Sequence, residues 1–257
     1  MERQRPTPLN SMRLKRPDLT LSAAQSQRGF AEDPTRPRRY RASDAVWADT
    51  GLLCALGARP VLLERFLQRY GSTLRIAHAV KIEIERKARS GGADLMRSCA
   101  QVIADKIRYG DIPVDSLSED ALDDFGGILA QLEDADSGVD ASAPDVGRAQ
   151  RHAGEAESIT GAVQVTRSGC TALLLTDDGG ASRVAKVHGI PCRNICDVLR
   201  ELGCEDPGLV PDRLFRDYES MTAQFATLPK NARPGGAADF TCWNIGGVCE
   251  PCDKLSG

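Results

Sequence analysis

Aromatic residues are scarce in this 257-residue chain, at 5% of positions, and hydrophobic residues of all kinds reach 41%. That balance argues against a large aromatic-filled interior and fits a modest globular core with polar appendages. No apolar run approaches the ~20 residues that cross a bilayer. The opening MERQRPTPLN also lacks the apolar stretch of a secretory signal. The expected setting is therefore the cytoplasm, with no membrane partner. Histidine is nearly missing: His78, His152 and His188 are scattered, which suits turn or surface positions better than metal ligation. The nine cysteines are odd in number, so reduced thiols are expected rather than a disulfide framework. Cys242, Cys249 and Cys252 contain one Cys-x-x-Cys, and Cys192 with Cys196 makes another pair. Four thiolates can hold a structural Zn²⁺, but one Cys-x-x-Cys without a matching pair at finger spacing leaves zinc the lesser expectation.

Charge is present in both signs but unevenly spread. The formal net charge is −3, yet residues 1–43 carry ten Lys/Arg against four Asp/Glu, which leaves about −9 on the rest. The body is thus no generic basic nucleic-acid binder, although a local Arg/Lys groove is compatible with it. Residues 1–43 hold five prolines and little periodic apolar character, and read as a disordered basic arm. An ordered domain is expected over 44–230, broken by an acidic, small-residue surface loop at 134–150. A Cys-containing flexible tail is expected over 231–257.

Within the domain, strands and helices alternate. Ala45-Val46-Trp47-Ala48 reads as a strand ending on Asp49-Thr50, and Pro60 opens a helix that Gly71 stops. TLRIAHAV reads as a second strand, followed by the helix VKIEIERKARS. Residues 92–110 form an amphipathic helix with Leu95, Cys99, Val102, Ile103 and Ile107 in phase. SLSEDALDDFGGILAQLED opens on a capping-box-like pattern and reads as another helix. GEAESITGAVQV is a helix, CTALLLT a buried strand, and GGASRVAKVHG a helix with Gly189 after its end. PCRNICDVLRELG supplies a short strand and helix, and PDRLFRDYESMTAQF a last helix. This alternation predicts an α/β fold, a three-layer α/β/α sandwich on a mostly parallel central sheet.

Acidic residues recur where strands end or helices begin: Asp49, Glu83, Glu155 and the pair Asp177-Asp178. In a parallel sheet every strand's C-terminus lies on one edge, so acids distant in sequence can converge there. Clustered carboxylates repel unless a cation is shared, and hard oxygen ligands suit Mg²⁺ or Mn²⁺. Each acid alone reads more often as a turn, an N-cap or a solvated helix start. Glu155 and Glu157 are two residues apart on a helix and point about 200° apart. Glu155 is the candidate, leaving Glu157 for the surface; Glu83 is preferred over Glu85 on similar grounds.

Taken together, VWADTGLLCAL, AVKIEIERKA, GEAESI and ALLLTDDGGASRVAKVHGIP resemble the PIN-domain nuclease family, over residues 44–220. The similarity is to a bacterial toxin-like ribonuclease branch carrying GEAE and a DD strand end. The resemblance implies an α/β/α fold and Mg²⁺- or Mn²⁺-dependent endoribonuclease chemistry. By position it implies Asp49, Glu83, Glu155 and Asp178 as catalytic, metal-binding acids, with Asp177 beside them as a further metal ligand. The Thr-x-Asp strand ending favours Asp178 of the pair. Thr50 and Thr176 would be hydroxyl neighbours of the site, and Arg183 and Lys186 would contact phosphates of an RNA substrate. Ser182 stands where relatives often place an arginine, which makes Arg183 the nearer guanidinium. Toxin-like relatives are often held by a small antitoxin protein and often form homodimers. Two other readings use less of the pattern. A PRPP loop of a phosphoribosyltransferase needs a Thr-Gly-x-Thr-like run, where GGASRV offers only Ser182. A haloacid-dehalogenase-like phosphatase needs Asp-x-Asp where this chain has ADTG. A non-catalytic PIN-like scaffold that binds RNA or protein would have no need of the clustered acids.

Overall fold

The structure, a computed structural model, describes residues 43–90, 94–136, 152–206, 208–223, 225, 228 and 233–240. All belong to the compact unit that spans Arg39–Gly257. The basic arm, most of the acidic 134–150 segment and Cys242, Cys249 and Cys252 lie outside the described residues.

Two four-residue strands, β1 (Ala45–Ala48) and β4 (Ala172–Leu175), are buried at every position, as continuous apolar runs should be when a parallel sheet is covered on both faces. They pair in parallel with Ala45 opposite Ala172 and Ala48 opposite Leu175. Outside them, β2 (Leu74–Ala77) pairs with β1, β3 (Val114–Asp115) with β2, and β5 (Cys192–Arg193) with β4. The sheet is five-stranded and all parallel, in the order β3-β2-β1-β4-β5. The chain therefore winds outward from β1 in one direction and then restarts at β4 in the other.

Helices cover both faces, giving the expected α/β/α layers. The helices α1 (Thr50–Gly57), α2 (Pro60–Tyr70), α8 (Ile195–Glu205) and α9 (Pro211–Thr222) pack as one contiguous layer. Opposite them, α6 (Ala153–Arg167) lies along β1, β2 and β4, flanked by α3 (His78–Ser90), α5 (Leu122–Asp136) and α7 (Gly179–Val187). Gly161 of α6 sits directly on the Trp47 indole, so close that a methyl group there would overlap the ring. Packing of α4 (Asp94–Arg108) joins α3 to α1.

Local chemistry explains the element ends. Pro60 and Pro211 occupy first-turn positions that need no amide donor. Asn194 and Asp197 form a reciprocal capping box on α8. Gly189 follows α7 at φ +73°, a conformation that favours glycine.

Several details differ from the sequence expectations. The helix α1 occupies Thr50–Gly57, between Asp49 and Pro60, where the sequence reading placed no element. The second strand stops at Ala77, and α3 begins at His78 rather than at Val80. The short strand β3 has no counterpart in the sequence reading. Leu95 and Val102 of α4 are exposed, while Cys99, Ala100, Ile103 and Ala104 face inward. Finally, residues 233–240, expected in a flexible tail, include a 3-10 turn (Ala237–Phe240). Its Phe240 is buried against Phe215 and Tyr218 of α9.

Candidate functional site

The winding order reverses between β1 and β4, and at such a switch point the loops leaving the two strands diverge to open a crevice at the C-terminal edge. Asp49 leaves β1 there, and Thr176, Asp177 and Asp178 leave β4. Asp49 caps α1: its Oδ1 accepts from the Leu52 amide at 2.7 Å. The Thr176 hydroxyl donates to its other oxygen, Oδ2, at 2.5 Å. The same hydroxyl accepts from the Asp178 amide at 3.0 Å, and the Asp178 side chain caps α7 by accepting from the Ala181 amide at 2.7 Å. Two helix N-termini thus meet at one edge through two aspartates and a buried threonine. Asp177 turns away to accept from the Ile195 amide at 2.8 Å, so it caps the start of α8.

The other two acids arrive on α3 and α6. Glu83 accepts from the Thr50 hydroxyl at 2.6 Å and pairs with Lys87 at 3.1 Å. Glu155 lies in the first turn of α6. Its neighbour Gly154 packs on Val80, where a Cβ would stand 3.1 Å from Val80 Cγ2. This close crossing brings the first turn of α6 onto the first turn of α3.

The electrostatics record the crowding. Burial, reinforced by the charges of Asp49, Asp178 and Glu83, pushes the Glu155 carboxyl up to about 7. Burial and the Asp49 charge likewise push Asp177 up to about 7, against the opposing Ile195 hydrogen bond. Asp49 is raised by burial, with Thr176 and Leu52 hydrogen bonds pulling down and the Asp178 charge pushing up. Asp49, Glu83, Glu155 and Asp178 therefore share one electrostatic environment, although they come from four separate segments.

No three of these side chains converge closely enough to form a ready-made metal cage: among the described residues, no group of three or more His, Cys, Asp or Glu is placed to hold an ion. Their carboxylates are instead directed at helix amides and hydroxyls. The donor set is nonetheless all hard oxygen and short of compensating charge. Mg²⁺ typically takes one or two carboxylates directly and keeps several waters. The residues fit such an ion by chemistry, with Asp49, Glu155 and Asp178 as the candidate donors; Asp49 and Asp178, like Asp177, also accept from helix amides.

Arg183 and Lys186 lie on exposed positions of α7, just beyond Asp178. Thr50 and Thr176, expected as hydroxyl neighbours of the site, donate their hydroxyls to Glu83 and Asp49. Glu157, read as a surface residue, is half-buried and accepts from the Ala79 amide at 2.9 Å. Two residues from Glu155 on the same helix, it points to a different side, and that side meets α3. Among the described residues, no helix is long and apolar enough to cross a membrane. No protein-family model matches the sequence, and no curated protein is similar enough to count as a relative.

Proposed function

We propose that the chain is a Mg²⁺- or Mn²⁺-dependent ribonuclease that hydrolyses RNA phosphodiester bonds at the β1/β4 edge. The observation that carries this reading is the electrostatic coupling of Glu155 to Asp49, Asp178 and Glu83 beside the sheet's switch point, where burial and those three charges push its carboxyl up to about 7. Uncompensated carboxylates at a ligand-binding edge call for a cation.

When bound, a divalent cation lowers the pKa of a water and neutralises charge on the scissile phosphate. Asp49 and Asp178, fixed by Thr176 and by the amides of α1 and α7, hold the donors at the edge. Glu155 brings a third carboxylate from the first turn of α6. Thr50 orients Glu83, and Lys87 shares its charge. Arg183 and Lys186 extend a cationic face past the acids, where flanking phosphates of an RNA strand would run. The acidic edge would repel RNA without the cation, which makes binding as well as cleavage metal-dependent.

The cytoplasm is the proposed setting. The toxin-like resemblance adds a small antitoxin protein and a homodimer as proposed partners. The test is cleavage of a structured RNA with Mn²⁺ by the parent and by Asp49→Asn. Cleavage by the parent that the variant loses supports the nuclease. Tight RNA binding with no cleavage by either protein supports the non-catalytic scaffold instead.

A further inference from the structure

The start of α3 lacks a cap of its own. The strand β2 runs to Ala77 and the helix begins at His78 with no linker, so the residue in the capping position has no side-chain acceptor. First-turn amides of a helix have no partner within the helix, and an Asp, Asn, Ser or Thr usually supplies one. Here the acceptor comes from another helix: Glu157 Oε2 receives the Ala79 amide at 2.9 Å, across 78 residues of sequence. One turn earlier on α6, Gly154 touches Val80. These two contacts flank Glu155 and clamp the first turn of α6 to the first turn of α3, the helix that carries Glu83.

We propose that Glu157 is a positioning residue that sets the spacing of Glu155 and Glu83 by capping α3 from α6. The inference rests on the nuclease reading of that site. Glu157 does not need its charge for this; it needs an acceptor oxygen at the right length. Glu155 and Glu157 therefore respond oppositely to the same change. Glutamine keeps the acceptor that Glu157 uses, but removes the negative charge that Glu155 contributes to a cation.

The experiment compares the parent, Glu157→Ala and Glu157→Gln as full-length proteins. Three quantities are read: hydrogen exchange of the Ala79 and Val80 amides, Mn²⁺ affinity, and RNA cleavage resolved into kcat and KM. Loss of a group that orients a metal ligand costs about 10- to 100-fold in affinity or activity. Glu157→Ala is expected to lose Ala79 protection and to fall by that factor in kcat and Mn²⁺ affinity, with KM little changed. Glu157→Gln is expected to return all three to near the parent values, because glutamine keeps the acceptor oxygen. If the alanine variant fails to fold, the glutamine variant decides alone: parent-like kcat upholds the proposal and a tenfold loss overturns it. An alanine variant with parent-like kcat and Mn²⁺ affinity also overturns it, because the cap would then be structural only. A parent that neither takes up Mn²⁺ nor cleaves RNA overturns the nuclease reading, and this inference with it.

Discussion

Thr176 donates its hydroxyl to Asp49 Oδ2 at 2.5 Å, joining the ends of the two central strands. The same pairing recurs at the other end of the ladder, where the Thr171 hydroxyl donates to Asp44 at 2.9 Å. Both pairs are separated by 127 residues, the offset of the parallel register itself, in which Ala45 faces Ala172. Each end of the β1–β4 ladder is thus closed by an Asp–Thr bond in register. Only the C-terminal pair is buried among further acids, and only there does Thr176 also receive the amide of the next capping aspartate, Asp178.

Replacing Thr176 with valine keeps its shape and removes both bonds. The Asp178 amide loses its acceptor, and Asp49 loses a donor that favours its charged form. An unsatisfied buried group costs about 1–3 kcal/mol, so denaturant unfolding should report a loss of that size. Thr176→Ser, which keeps the hydroxyl, should recover most of the stability and of the cleavage activity. Thr171→Val, at the exposed end, should leave cleavage at the parent rate. Equal losses of activity at the two threonines would contradict this division of roles.

Glu155 and Asp177 both titrate higher in the folded chain than the ordinary 4.5 and 3.8, at about 7 each. A raised carboxyl keeps its proton in the folded state after the unfolded chain has released its own. Its contribution to stability is therefore full below the unfolded value and is lost as pH rises through about 7. Metal-free protein should lose thermal stability from pH 5 to pH 8, when measured in a chelator. Glu155→Gln should flatten the slope, and Mn²⁺ should restore the midpoint at the upper pH. A midpoint that rises over this window would show that the acids are not strained in the folded state.

Much of this edge was legible in the sequence because its signals are local. AVWA and ALLL are uninterrupted apolar runs with aspartates just beyond them, and both form central strands whose following helices are capped by Asp49 and Asp178. TLRIAHAV alternates with period two and reads as one strand, but the structure turns helical at His78. The usual sign of a helix start is missing there because the cap is delivered by Glu157 from 78 residues away. In α4 the apolar phase alone could not decide which side faces inward. The structure buries the small residues Cys99, Ala100 and Ala104 with Ile103, leaving Leu95 and Val102 outside. Strand β3, two half-buried residues long, is too short to display any period.

Away from the site, Glu201 is the hub of a buried charge network. It accepts from Arg69 Nε at 2.9 Å and from the Tyr70 hydroxyl, and it pairs with Arg193. Arg193 in turn offers its carbonyl to the Thr176 amide at 2.9 Å, so the network props β5 beside β4. Removing one member of a buried ionic group strands its partners' charge and costs about 3–5 kcal/mol. Glu201→Ala should show a loss of that order by denaturant unfolding, and Glu201→Asp should not rescue it, because the shorter arm cannot reach three donors. A change below about 1 kcal/mol would place the network in the solvent-screened class of ion pairs.

Arg183 and Lys186 provide the sharpest test of how RNA would lie on this protein. Both are exposed on α7, past the Asp178 cap, and among the described residues neither makes a hydrogen bond or an ion pair. If they contact phosphates, each neutralises one charge on a single strand and contributes about 0.7 to the slope of log affinity against log salt. The double change Arg183→Ala with Lys186→Ala should therefore weaken RNA binding and flatten that slope by about 1.4. The loss should be similar across RNA sequences, because phosphates carry no sequence information. At saturating RNA the cleavage rate should stay near that of the parent, since neither side chain orients an acid of the site. A parent-like salt slope in the double variant would move the RNA track to another face of the molecule.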